Sequence, residues 1–300
     1  MAKMKTRNEI EKDFTDTFNQ LAYVHSGWQA WSDFVHCAAY AISNAVDPVH
    51  REQRERDYMR IVSKYKEAEG QAIARLFALT SIALERNPDQ DFLGHLYMNL
   101  DMGNKGLGQC FTPYDICRMM AKTVCPDLPA KVAEKGWISV MDCCIGGGAM
   151  LIGFASECRE QKVNYQNHCL FVGQDIDHTV AMMAYIQLSL LGCPGYIVVD
   201  NALTKPLTGE TLFAPMDRET FVTPMYCSDV WHMRRAWNAA DKLFGTVQTA
   251  EVITESTDIP AVEEPTTIPA PEPEAVIEIK PVSHKEWKAA QISMFGEVGA

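Results

Sequence analysis

The sequence predicts an α/β protein. A helical N-terminal region at 1–105 precedes a sheet-and-helix domain at 106–245, and a disordered acidic linker rich in Pro and Glu with a terminal peptide motif is expected at 246–300. Three observations carry this. Apolar residues recur at three- and four-residue steps through the first ninety positions; four short apolar runs then alternate with longer amphipathic stretches; and no aromatic residue stands between 251 and 281.

In the first region Ile10, Phe14, Phe18, Leu21 and Val24 fall on one helix face, and Trp28, Trp31 and Phe34 continue the pattern. A second long helix is expected after Pro48, with Tyr58, Ile61, Val62 and Tyr65 inward and Arg51, Arg54, Arg56, Arg60, Lys64 and Lys66 largely outward. Glu52, Glu55 and Asp57 interleave those cations, so a solvated face with local ion pairs is favoured over a DNA-contacting helix. A third helix around Ile73 to Leu84 stops at Asn87-Pro88.

From about residue 107 the runs WISVMD (137–142), CLFVGQD (169–175), GYIVVD (195–200) and FVTPMY (221–226) each read as a buried strand. One intervening helix, Ala181 to Leu191, has Asp177 as N-cap and Gly192 as its stop, while Met182, Met183, Met119 and Met120 read as core packing. The alternation argues for a parallel sheet with helices on its faces.

Composition narrows the function classes. With 300 residues and 47% hydrophobic content the chain can bury one large core or two modest ones. No stretch approaches the roughly 18 uninterrupted apolar residues of a membrane span, and the expected location is the cytoplasm. Ten scattered cysteines without a C-x-x-C spacing read as reduced thiols, and no metal site is expected. Of the net charge of −12, residues 246–300 hold −7 (ten Asp/Glu against three Lys), which leaves −5 for the other 245 residues. No dominant basic patch for nucleic acid stands out.

Three strands end in loops suited to ligand chemistry. The first runs through Asp142 into Gly146, Gly147 and Gly148 ahead of a helix, where backbone can approach a ligand closely and free amides point outward. The second ends at Asp175, whose carboxylate can accept from two ribose hydroxyls, and the third at Asp200-Asn201, suited to an amine such as that of an adenine ring. A G-x-G-x-x-G dinucleotide fingerprint fails, because Leu151 stands at its third glycine. A tight structural turn would by itself explain the glycines.

The segments GLGQCFTPYDICRMMA (106–121), MDCCIGGGAMLIGFA (141–155), VGQDIDHTVAMMAYIQLSLLG (172–192) and VDNAL (199–203) resemble adenine-specific DNA methyltransferases of the kind that serve as modification subunits of type I restriction systems. The resemblance implies a Rossmann-like methyltransferase domain with S-adenosylmethionine as cofactor. It implies that Phe111, Thr112, Asp142, Gly146 and Gly148 surround the methionine end of the donor, that Asp175 holds the ribose and that Asp200 holds the adenine amine. Thr112 is expected to cap a helix whose first residue is Pro113, with Asp115 third. Cys143 replaces the family's usual proline and Gly147 its usual Ser or Thr.

The family's catalytic loop, Asn-Pro-Pro-Tyr/Phe, has its counterpart in Thr223-Pro224-Met225-Tyr226. Here Tyr226 could still stack on an extruded base, but Thr223 is too short to replace an Asn carbonyl and Met225 removes a conformational lock. The loop reads as degenerate; the alternative is a core strand and turn punctuated by Pro224. His178 reads as a helix-start residue without catalytic duty.

Gln291, Ile292, Met294 and Phe295, in QISMF, resemble the peptide by which bacterial DNA-processing proteins bind the sliding clamp, placed after a linker that would set effective concentration. The alternative is a terminal helix docking Trp287 and Phe295 on the core. Two functions remain open. One is methyl transfer to adenine in DNA with a specificity subunit or a second methyltransferase subunit as partner; the other is a catalytically inactive binding module tethered to the clamp.

Overall fold

The computed structural model describes residues 6–100, 111–208 and 211–244. Residues 106–110 of the first family-like segment, the linker and the QISMF peptide with Gln291, Ile292, Met294 and Phe295 lie outside the described residues.

Five helices open the chain: α1 (Arg7–Val24), α2 (Gly27–Val46), α3 (Arg51–Val62), α4 (Glu67–Arg86) and α5 (Phe92–Asn99). The apolar pattern that runs unbroken from Ile10 to Phe34 belongs to two helices. Ser26 separates them, its hydroxyl accepting from the Gln29 amide at 3.3 Å, and Thr6 with Glu9 forms a capping box at the start of α1. Phe14, Phe18, Trp31, Phe34 and Tyr97 are fully buried and meet mostly edge to face.

The remainder alternates: α6 (Tyr114–Val124), α7 (Leu128–Lys135), β1 (Ile138–Asp142), α8 (Ala149–Glu160), α9 (Tyr165–His168), β2 (Cys169–Asp175), α10 (His178–Leu190), β3 (Gly195–Val199), β4 (Glu219–Val222) and α11 (Asp229–Phe244). The sheet order is β1-β2-β3-β4, with β1, β2 and β3 parallel and β4 antiparallel to β3. Asp177 caps α10 through the Val180 amide at 3.1 Å, and Gly192 follows the helix at φ +68°.

The described residues up to 240 form one compact unit. A single apolar cluster runs from Ile10 on α1 through Met182 and Met183 on α10 to Phe221 on β4, so the helical region and one sheet face share a core. Leu170, Val172, Tyr196, Val198, Leu212, Tyr226 and Trp231 form a second, smaller cluster on the opposite face. No helix among the described residues is long and apolar enough to cross a membrane.

Several sequence expectations fail for reasons of tertiary packing. β1, expected buried, has Ser139 and Met141 exposed, and Val24 and Trp28, expected on the inward helix face, are exposed as well. Arg54, expected outward with its neighbours, is 5% exposed. Its guanidinium donates to Ser43 Oγ, to Asp47 Oδ2 at 2.6 Å and to the Thr220 carbonyl at 2.7 Å, and lies 4.0 Å over the Phe221 ring. It ties α2 and α3 to β4. Met119 and Met120, expected in the core, are 59% and 43% exposed on α6, which buries only Cys117 and Ala121.

A second buried polar residue positions the glycine loop. Gln187 on α10 has no exposed surface. Its Oε1 accepts from the Leu93 amide at 3.0 Å, and its Nε2 donates to Asp91 Oδ1 and to the Gly147 carbonyl, both at 2.7 Å. Asp91 in turn caps α5 through the Gly94 amide at 2.9 Å, and burial pushes its carboxyl above the usual carboxylate range.

Arg54→Ala is expected to lower the unfolding free energy by about 3 kcal/mol in urea denaturation, because the Asp47 carboxylate keeps only His50 and two backbone amides while the Thr220 carbonyl loses its side-chain donor. Gln187→Leu is expected to cost about 3 kcal/mol in the same assay, since it strands an amide, a carbonyl and a carboxyl away from water.

Candidate functional site

The loops that follow β1, β2 and β3 leave the sheet at one end, the carboxyl end of the three parallel strands. After Asp142 the chain turns sharply. Gly146 at φ +55° and Gly148 at φ +96° adopt left-handed conformations that side chains rarely take, and Gly148 leads directly into α8. A Cβ on Gly148 would lie 3.3 Å from the backbone and Cβ of Ala184 on α10, so the loop packs against that helix only as glycine.

Asp175 braces this loop from the next strand. Its Oδ2 accepts from the Gly146 amide at 2.9 Å and its Oδ1 from the Asp177 amide at 3.0 Å. Each oxygen keeps a lone pair for a ligand hydroxyl. Phe111, ahead of α6, stacks on Tyr97 with ring centroids 5.2 Å apart, and its edge lies 3.4 Å from where a Gly146 Cβ would be. A cavity of about 210 Å³ results, lined among others by Phe111, Thr112, Asp142, Cys144, Gly146 and Met150.

Electrostatics give that cavity a sign. The half-buried Asp142 accepts from the Cys144 amide at 3.0 Å, and its carboxyl is pushed above the usual range by burial and by the charge of Asp175. Among the described residues no cation pairs with either carboxylate. The arrangement can hold a ligand cation against Asp142 with free backbone alongside.

The other expected residues fall differently. Thr112 does not cap α6: it is exposed, no side-chain cap bond is present, and Pro113 itself occupies the N-cap position. Asp200 stands at the end of β3, as its sequence position requires. Its Oδ1 accepts from the Asn201 amide at 2.8 Å and its Oδ2 lies 3.4 Å from Lys205 Nζ, and these two neighbours hold its carboxyl below the usual range.

Thr223, Pro224 and Tyr226 are not brought to this crevice. Because β4 is antiparallel, its last residues pair with the beginning of β3, and the Thr223 amide donates to the Gly195 carbonyl at 2.9 Å. The loop therefore leaves the sheet at the end opposite Asp142. Thr223 is 1% exposed, its hydroxyl donating to the Cys193 carbonyl at 2.7 Å and accepting from the Gly195 amide at 3.0 Å. Pro224 opens a short 3-10 turn, Pro224–Cys227. Tyr226 is 6% exposed, donates to the Leu212 carbonyl at 2.8 Å, accepts from the Ala214 amide at 3.0 Å and lies under the Arg235 guanidinium. The correction follows from polarity: Thr223 and Tyr226 hold a core turn together, and Pro224 is exposed at the sheet end opposite Asp142.

Sequence reasoning missed Gln187, which holds the glycine loop through the Gly147 carbonyl. Its signal was a lone amide inside the largely apolar run AMMAYIQLSLL. A larger cavity of about 690 Å³ lies along the outer side of β1, but it lacks the carboxylates and the glycine loop, so the smaller one is the candidate site.

The profile of the N-6 DNA methylase family matches residues 89–251, more than half of the chain, and spans every residue of the cavity. Among solved structures, the methyltransferase subunit of a type I restriction-modification system from Streptococcus thermophilus is similar at 14% identity with a TM-score of 0.35, over 68% of this chain. The match spans 41% of that subunit's length. No curated protein matches the chain. With the family profile covering the helix start, the glycine loop and all four strands, this chain belongs to the N-6 DNA methylase family.

Proposed function

We propose that the chain binds S-adenosylmethionine at the carboxyl end of β1–β3 and serves as the donor-holding part of an adenine-specific DNA methyltransferase, with DNA and a specificity or second methyltransferase subunit as partners. The observation that carries this reading is the convergence of Phe111 and Thr112 with Asp142 and Gly146 on one cavity, beside two carboxylates that pair with no cation among the described residues. The donor brings an ammonium and a sulfonium, and so complements that charge.

The cavity's volume suits the amino-acid end of such a ligand, since pockets for whole drug-sized ligands run to about 300–1,000 Å³. Asp142 would accept from the ammonium, Asp175 from the ribose while bracing Gly146, and Phe111 would shield the site from water. When bound, the donor supplies an electrophilic methyl group. Asp200 would first have to release Lys205 to meet an adenine amine.

Acceptor chemistry needs a group that takes a hydrogen bond from the target amine next to the methyl, and an aromatic surface for an extruded base. Among the described residues the segment that resembles the family's catalytic loop, Thr223-Pro224-Met225-Tyr226, lies at the far end of the sheet with Thr223 and Tyr226 buried. This favours donor binding by the chain alone, with transfer dependent on a partner.

Equilibrium dialysis with labelled S-adenosylmethionine tests the reading. The full chain is expected to bind saturably, and Asp142→Ala to weaken binding at least tenfold, about 1.4 kcal/mol. Binding that is absent, or indifferent to Asp142→Ala, would sink it.

A further inference from the structure

β1 carries the glycine loop, yet it is the edge of the sheet: β2 pairs with one side of it, and among the described residues no strand pairs with the other. A strand edge presents a row of unpaired N–H and C=O groups, a template for another extended segment. Ser139 and Met141 on this strand are exposed. The cavity of about 690 Å³ runs beside that edge, with Leu128, Trp137 and Phe154 among its apolar lining and Lys131 and Lys135 among its polar lining.

Two further observations single this surface out. Ile116, Met120 and Val124 follow one another at four-residue steps on α6 and are 43%, 43% and 69% exposed; Val124 itself lines the cavity. Apolar surface gathered in one stripe marks an interaction site more often than scattered apolar residues do. The cations differ as well. Glu160 engages Arg118 and Lys122, whereas Lys131 and Lys135 have no ion-pair partner among the described residues.

We infer that the free edge of β1 is a docking site for an extended, acidic segment of a separate polypeptide. The segment adds to the sheet beside β1, sets apolar side chains against Val124 and Trp137, and places carboxylates on Lys131 and Lys135. A second copy of the chain pairing edge to edge fits less well, since it would bring the same two lysines to the edge. β1 continues into Asp142, so the added segment would also wall the candidate donor site on its open side. Ligand crevices in open sheets form between neighbouring strand ends. That last consequence rests on the donor-site reading; the docking does not.

The probe is a fluorescent synthetic peptide, Glu-Glu-Thr-Val-Thr-Val-Thr-Glu-Glu, titrated into the full chain by anisotropy and followed by amide hydrogen exchange. Saturable binding with slowed exchange across 138–142 is expected. Lys131→Glu with Lys135→Glu, two exposed positions, should weaken binding at least tenfold, and a peptide with lysines in place of its glutamates should then prefer the double variant. Binding that leaves β1 amides unprotected, or that ignores the double substitution, overturns the inference. So does protection of β1 that rises with protein concentration without peptide, which would make a second copy the occupant. Donor binding by the same preparations is read in parallel. Peptide docking without donor binding overturns only the donor site, and donor binding without docking overturns only the edge.

Discussion

The side-chain amide of Gln187 is the joint on which the site depends. It has no exposed surface and ties three segments at once: the start of α5 through Leu93 and Asp91, the glycine loop through the Gly147 carbonyl, and α10, on which it sits. An amide buried this deeply is stable only when its polar atoms are matched, so the three segments hold their relative positions together. The Asp175 contact to Gly146 and the close approach of Gly148 to Ala184 then fix the remaining freedom of the loop. The helical first region is therefore part of the site's foundation, because α5 is one of the three segments joined.

Sheet polarity decides what the site can do. Three parallel strands send Asp142, Asp175 and Asp200 to one end, where a cationic ligand finds carboxylates and free backbone. One antiparallel strand sends Thr223 to the other end, and Arg54 anchors that strand by donating to the Thr220 carbonyl and covering Phe221. The turn at 223–226 is held by backbone partners on every polar atom that it buries. Membership in the N-6 DNA methylase family accordingly coexists with a crevice at the carboxyl ends of β1–β3 that the family-like catalytic segment does not reach.

What could be read from the sequence was local. Asp142, Gly146, Gly148 and Asp175 follow strand ends within a few residues, and Asp177 caps its own helix, so short-range spacing was enough to find them. What could not be read needed partners far along the chain. An alternating apolar run announces a strand but not its direction, and β4 needed the direction. Interleaved charges made Arg54 look solvated, although Asp47 and Thr220 claim it from two other elements. Met119 and Met120 have core composition, and only the packing of α6 shows that they face outward.

The central claim is that the donor binds at the glycine loop. Photo-crosslinking of methyl-labelled S-adenosylmethionine to the full chain, followed by peptide mapping, tests it most directly. The account predicts label in the peptides containing residues 111–117 or 141–150. Label on residues 223–226, or label that excess unlabelled donor fails to suppress, would contradict it.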